Sequence, residues 1–141
     1  MTLKISDISV GMDLPALDLT FTRADLVAYA LASGDLNPIH QDEEFAKSVG
    51  LPDVIAHGML TMGRAIQVVT NWVGDPTAVI DYSVRMTRPV VVPDTAEGSV
   101  VSFTGKVAQI NDDGTVQVEL GAVFGDVKVL GLAKATVRLA Q

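Results

Sequence analysis

The sequence predicts an α+β domain in which an antiparallel β-sheet wraps around one long, central, buried helix. Two stretches carry that expectation. In residues 58–72, GMLTMGRAIQVVTNW, the residues Met59, Leu60, Met62, Ala65, Ile66, Val68, Val69 and Trp72 cover most of the helical circumference. A helix that is apolar nearly all round belongs in an interior. Residues 78–139 then read as long strand-like runs separated by tight turns, the pattern of an antiparallel meander.

Taken in order, residues 5–21 start irregular and become strand-like, broken by Gly11 and Pro15. Thr22 fits a helix N-cap, with Asp25 in the place usually held by Glu. Leu26, Val27, Ala30 and Leu31 then share one helical face, which ends near Ser33-Gly34, and Pro38 stops any continuation. Asp42 caps a second short helix that turns Phe45, Ala46 and Val49 inward and stops at Gly50, with Pro52 beyond. The central helix starts near Gly58 and closes at Gly74-Asp75-Pro76. After it, Ile80, Tyr82, Val84 and Met86 alternate with Asp81, Ser83 and Arg85, as in a half-buried strand. Beyond the Pro89–Pro93 stretch come SVVSFTGKVAQI, a hairpin turn at Asn111-Asp112-Asp113-Gly114, TVQVELGAVF, a second turn at Gly125-Asp126, and VKVLGLAKATVRL. One strongly curved sheet around one helix is a hot-dog arrangement. Such a sheet leaves an open edge, and open edges are commonly covered by pairing, so a dimer is expected.

Composition narrows the function classes. The 141 residues suit a single domain over 1–141, with 48% hydrophobic and 19% charged residues. A net charge of −7 lacks the basic footprint of a nucleic-acid binder. With no cysteine there is no disulfide framework, thiolate nucleophile or cysteine zinc site. The start, MTLKISDISVGMDL, is unlike a signal peptide, and no uncharged apolar run reaches the roughly 18 residues of a membrane span. A soluble, cytoplasmic protein without membrane or nucleic-acid partners is expected.

The chemistry concentrates in residues 29–62, which hold both histidines. Asp35 lies five residues before His40, across Asn37-Pro38. Pro38 fixes its own backbone and restricts Asn37 to extended conformations. The result is a stiff loop in which a carboxylate and an imidazole can converge, orient a water and shuttle its proton. A structural reading of Ser33-Gly34-Asp35, a helix end followed by a turn, explains Gly34 but gives His40 no task. Gly58 stands where the buried helix begins. The free N–H groups and dipole of that helix start favour an oxygen gaining negative charge, and a glycine there admits a ligand close to the backbone. His57 reads as a cap or loop anchor. Asp42, Glu43 and Glu44 read as helix-start charge. Lys47, Arg64, Arg85 and Arg88 are the nearest cations in sequence that could receive carrier or coenzyme phosphates, with surface solvation the ordinary role for any single one. Two histidines 17 residues apart, without zinc-type spacing, give no metal site, and no cofactor is expected.

The run YALASGDLNPIHQDEEFA, residues 29–46, together with AHGMLTM, residues 56–62, resembles the signature of the MaoC-like (R)-specific enoyl-CoA hydratases, the type-2 enoyl hydratases. That resemblance is strongest over residues 22–72 and agrees in layout with the β-rich remainder. It implies a hot-dog fold and reversible syn addition of water to a trans-2-enoyl thioester. By the same resemblance Asp35 and His40 are the catalytic pair, Asn37 supports their loop and Gly58 supplies the oxyanion N–H. Many members carry Gly-Asp after the Pro-Val segment, whereas here Pro89-Val90-Val91-Val92 leads into Pro93-Asp94. This departure, the short length and the NWVGDP helix exit are similar to the catalytic B subunits of mycobacterial-type (3R)-hydroxyacyl-ACP dehydratases. Homodimer and heterodimer with a related subunit both stay open, as do CoA and acyl carrier protein (ACP) as thioester carriers.

Three functions fit. A hydratase/dehydratase uses the Asp35–His40 pair on the acyl chain, with Met59 and Met62 beside an acyl tunnel. A thioesterase turns the same pair on the thioester carbonyl. A non-catalytic acyl-binding subunit would need neither residue.

Overall fold

The structure is a computed structural model and describes residues 2–141; of the domain expected over 1–141, only residue 1 lies outside the described residues. Six strands form one antiparallel sheet: β1 (Leu17–Phe21), β2 (Val79–Met86), β3 (Ser99–Ile110), β4 (Thr115–Phe124), β5 (Val127–Lys128) and β6 (Leu130–Arg138). Their order is β1-β3-β4-β6-β2, with β5 paired to β4. The β3–β4–β6 part is the expected meander. β2 lies beyond β6 at one edge, so the chain crosses the sheet between Met86 and Ser99 to begin β3 beside β1. The helices are α1 (Arg23–Ser33), α2 (Glu43–Ser48), α3 (Gly58–Ala65) and α4 (Gln67–Val73). One contiguous core, including Phe21, Leu26, Val68, Val69, Phe103 and Val118, joins them to the sheet.

Several elements follow their local chemistry. The Thr22 hydroxyl accepts from the Asp25 N–H at 3.2 Å, while the Asp25 carboxylate accepts from the Thr22 N–H at 2.9 Å. This reciprocal capping box satisfies two otherwise orphaned donors. Asp42 caps α2 through the Phe45 N–H at 3.0 Å. Gly114, at φ +85°, closes the β3–β4 turn, where Asp113 accepts from both the Thr115 N–H and its hydroxyl.

Other elements depart from expectation, each for an identifiable reason. The central helix is divided at Ile66, whose ψ of −16° tightens the chain between α3 and α4. The β-branched residues Ile66, Val68, Val69 and Thr70 cluster at that joint, and such residues lose side-chain freedom against a preceding helical turn. The helix is also buried on one face only, since Met59 is 61% exposed. On α1 only Leu26 and Ala30 are buried, while Val27 and Leu31 face outward; on α2 only Ala46 is buried, and Phe45 and Val49 are exposed. On β2, Val79 and Asp81 face consecutive residues Val137 and Thr136, so Ile80 is the extra residue of a bulge and turns outward. The strand expected over 127–139 is two, β5 and β6, and β6 carries its own irregularity opposite Ser83–Arg85, with Leu132 at φ +46°.

Candidate active site

The cavity at the start of α3 is assembled by a small hydrogen-bonded layer. Residues 54–56 run beside the crossover segment after β2: the Ala56 N–H donates to Val90 O and the Val92 N–H to Val54 O, both at 2.8 Å. Ile55 then holds the motif loop, its N–H donating to Ile39 O at 3.2 Å and its carbonyl accepting from His40 Nδ1 at 2.7 Å. A carbonyl only accepts, so Nδ1 carries the proton and His40 Nε2 is the bare nitrogen. That nitrogen faces the Asp35 carboxylate, with Oδ2 at 3.8 Å. The gap exceeds a direct hydrogen bond, yet one oxygen can bond to both atoms at about 2.8 Å. The His40 side chain is buried, whereas that of Asp35 is 51% exposed.

Asn37 stands at the start of a short 3₁₀ turn, Pro38–His40. Its side chain accepts from the Ile39 N–H at 3.2 Å, its carbonyl accepts from the His40 N–H at 3.1 Å, and its own N–H donates to Asp35 Oδ1 at 3.2 Å. Asn37 thus holds both Asp35 and His40 and is not among the residues that line the cavity. Gly58 is the first residue of α3 and lines a cavity of about 310 Å³ together with His40, Thr61, Met86, Arg88 and Leu130. The first intrahelical bonds of α3 come from Leu60 and Thr61 to His57 O, so the Gly58 and Met59 N–H groups have no partner among the described residues. A Cβ on Gly58 would come within 3.3 Å of the Met86 sulfur, so a larger residue would crowd the cavity.

His57 sits behind this pair, 1% exposed. Its Nε2–H donates to the Asp35 carbonyl at 3.1 Å, its ring stacks on His40 at 3.8 Å, and Tyr29 meets it edge-on at 4.8 Å. It anchors the loop, as its place before α3 suggested; the stack on His40 had no sequence signal. Burial pushes the His57 imidazole below its ordinary 6.5, as does the neighbouring His40 charge, against a smaller upward pull from the Asp35 carbonyl and carboxylate. In the unfolded chain His57 therefore takes up a proton near 6.5 that the folded protein refuses until lower pH. Stability is lost as pH falls below about 6.5. The drop in melting temperature between pH 7.5 and 5 is expected to be smaller in His57→Phe than in wild type.

Asp35, His40 and His57 offer ligand atoms within 4.8 Å of one another. Each ring, however, already spends one nitrogen on a backbone carbonyl. The rings are stacked within 24°, so their in-plane lone pairs run side by side and do not converge on one ion.

Of the four cations singled out by sequence, three are engaged elsewhere or lie apart. Lys47 pairs with Glu43 at 2.6 Å, Arg64 donates to Thr20 O and lies over the Phe21 ring, and Arg85 lines a separate surface cleft. Arg88 lines the site cavity and has no ion-pair or hydrogen-bond partner among the described residues. Met59 and Met62 do not form its wall. Met86, Val129 and Leu130 do, from β2 and the β5–β6 junction. The Tyr82 hydroxyl pins β2 to α3 through Met62 O at 2.6 Å, and burial pushes it up to about 12.

Comparison with known proteins agrees with this architecture. The MaoC like domain matches residues 8–123. The 3-hydroxyacyl-thioester dehydratase X of Mycobacterium tuberculosis is 44% identical over 82 residues, which are 58% of this chain and 28% of that protein. The chain therefore spans under a third of the length of that relative. The (R)-specific enoyl-CoA hydratase of Rhodospirillum rubrum is 32% identical over 104 residues, 73% of this chain and 71% of that one. A solved MaoC-like dehydratase superposes with a TM-score of 0.95 at 45% identity, over 99% of this chain and 43% of its own. No helix among the described residues is long and apolar enough to cross a membrane. With the family match covering most of the chain and the antiparallel sheet folded over α3 and α4 as in a hot dog, the chain belongs to the MaoC-like family.

Proposed function

We propose that the chain is a hydro-lyase that interconverts trans-2-enoyl thioesters and (3R)-hydroxyacyl thioesters, carried on CoA or acyl carrier protein, in fatty-acid metabolism. The observation that carries this reading is the placement of a bare His40 Nε2 opposite the Asp35 carboxylate, beside the unpartnered N–H of Gly58. The thioester carbonyl accepts from Gly58, which stabilises the enolate-like charge. Asp35 and His40 hold one water over the β-carbon. As its oxygen bonds there and the C=C π bond opens, the pair takes one water proton and delivers one to the α-carbon. Dehydration is the reverse. Asn37 keeps the pair in place. The names of the two relatives, a dehydratase and a hydratase, support the same reaction.

The test is absorbance of crotonyl-CoA and a longer trans-2-enoyl-CoA with purified protein, run beside a thiol reagent. Loss of enoyl absorbance without free thiol is expected. Thiol release would assign a thioesterase, and no change in either would point to an obligatory carrier protein or a missing partner subunit, with a non-catalytic subunit left if acyl carrier protein substrates are also unchanged.

The exposed edge of β2 favours a second hot-dog subunit. Among the described residues β2 pairs only with β6, and Ile80 and Met86 on it are exposed. The expected solution mass is that of two chains, reduced to one by Ile80→Lys with Met86→Lys. A monomeric wild type overturns the homodimer in favour of a related partner subunit. An acidic chain free of cysteine suits the cytoplasm.

A further inference from the structure

The buried residue between the two halves of the site is His57, and the reaction as proposed gives it no step. Three parts of the site meet on it. Its Nε2–H holds the Asp35 carbonyl, its ring face backs His40, and its own carbonyl accepts the first bonds of α3, the helix whose first residue, Gly58, lines the cavity. Its other nitrogen, Nδ1, is buried and has no hydrogen-bond partner among the described residues. A bare buried acceptor costs stability, so packing alone would favour an apolar ring here. A feature that costs stability at such a junction calls for a role beyond filling space.

We infer that His57 is a positioning residue: its Nε2–H clamps the acid–base loop at Asp35 and its ring fixes His40, setting both in register with the start of α3. The inference rests on the hydratase reading for its kinetic consequence, though not for its structural one. The groups facing His57 are Asp35 from the motif loop, His40 from the 3₁₀ turn and Tyr29 from α1. His57 itself does not line the cavity and touches it only through His40, so its loss is expected to act on proton transfer more than on substrate binding. Small displacements of reacting groups cost rate steeply, on the order of 10² for about 1 Å.

Two substitutions separate the clamp from the packing. His57→Phe keeps a flat ring against His40 and loses the donor. His57→Gln keeps an N–H at the position of Nε2 and loses the ring. The expected result is a 10- to 100-fold fall in kcat for His57→Phe with KM changed less than about threefold, and recovery of at least half of that loss, on a logarithmic scale, in His57→Gln. An unchanged kcat in His57→Phe overturns the inference. So does an equal loss in both variants that tracks their melting temperatures, which would mark a packing role alone.

The second readout needs no turnover. With only two histidines in the chain, imidazole ¹⁵N resonances assign directly. Wild type is expected to show His57 protonated on Nε2, and amide exchange over residues 35–40 is expected to quicken in His57→Phe but less in His57→Gln. If wild type shows no hydration, the hydratase reading fails while this arm still decides the clamp. Exchange that is the same in all three proteins, or a His57 protonated on Nδ1, overturns it.

Discussion

Asp35→Asn and His40→Ala each lower enoyl-thioester hydration by about 10² or more, the range a positioned proton-transfer group contributes. The two variants report differently. Asparagine keeps an oxygen to accept from the Asn37 N–H, the bond Asp35 Oδ1 makes at 3.2 Å, so the loop survives and only the charge and proton affinity change. Its side chain is half exposed, and little stability is at stake. His40→Ala removes a buried ring that both stacks on His57 and satisfies Ile55 O. The orphaned carbonyl alone costs about 1–3 kcal/mol, and kinetics on this variant are read with a melting curve beside them. Asp35→Asn is the decisive arm. Wild-type kcat/KM in that variant would remove the pair from the mechanism.

Gly98→Ala lowers stability by about 3 kcal/mol, among the larger single-residue effects, and lowers the melting temperature by roughly 10 °C. Gly98 sits at φ +62° immediately before β3, where an L-residue pays about 1–2 kcal/mol. The added methyl would also run into the Phe21 backbone carbonyl and lie 3.2 Å from Thr20 Cγ2. Phe21 is the last residue of β1 and pairs with Ser99, so relief requires the β1–β3 ladder itself to move. Gly63→Ala is the matched control. It lies within α3 with open space around it, and alanine there favours the helix by about 0.5–1 kcal/mol. Thermal melts of the two variants are expected to move in opposite directions, and a Gly98→Ala melt within about 3 °C of wild type would discount the clash.

What was legible in the sequence was whatever a few adjacent residues decide. Thr22 with Asp25, Asp42, Gly114 and the stiff Asp35–His40 loop each carry their own local geometry, and each folds as read. Periodicity located the strands and the central helix for the same reason. It failed where partners far along the chain set the outcome. Val27 and Leu31 satisfy a helical stripe, yet the surface they meet covers only Leu26 and Ala30. The alternation through Ile80 is broken by a bulge that exists only relative to β6. Met59 and Met62 were neighbours of Gly58 in sequence, whereas the cavity wall comes from Met86, Val129 and Leu130, brought there by the crossover after β2 and the break between β5 and β6. Tyr29, His40 and His57 meet because three separate segments converge, a placement no local pattern encodes.

The narrow seam between residues 54–56 and 90–92 has a consequence for how such a protein diversifies. Every group proposed to act on the reacting atoms belongs to residues 35–58, while the far wall of the cavity belongs to residues 86–90 and 129–130. The two territories are stitched by backbone bonds, Ala56 to Val90 and Val92 to Val54, which do not depend on side-chain identity. Side chains at Met86, Val129 and Leu130 can therefore be exchanged without rewriting the loop that carries the acid–base pair. Under the proposed reaction, exchanges at Val129 and Leu130 are expected to change which acyl chain is accepted while leaving the backbone bonds that hold the acid–base loop in place.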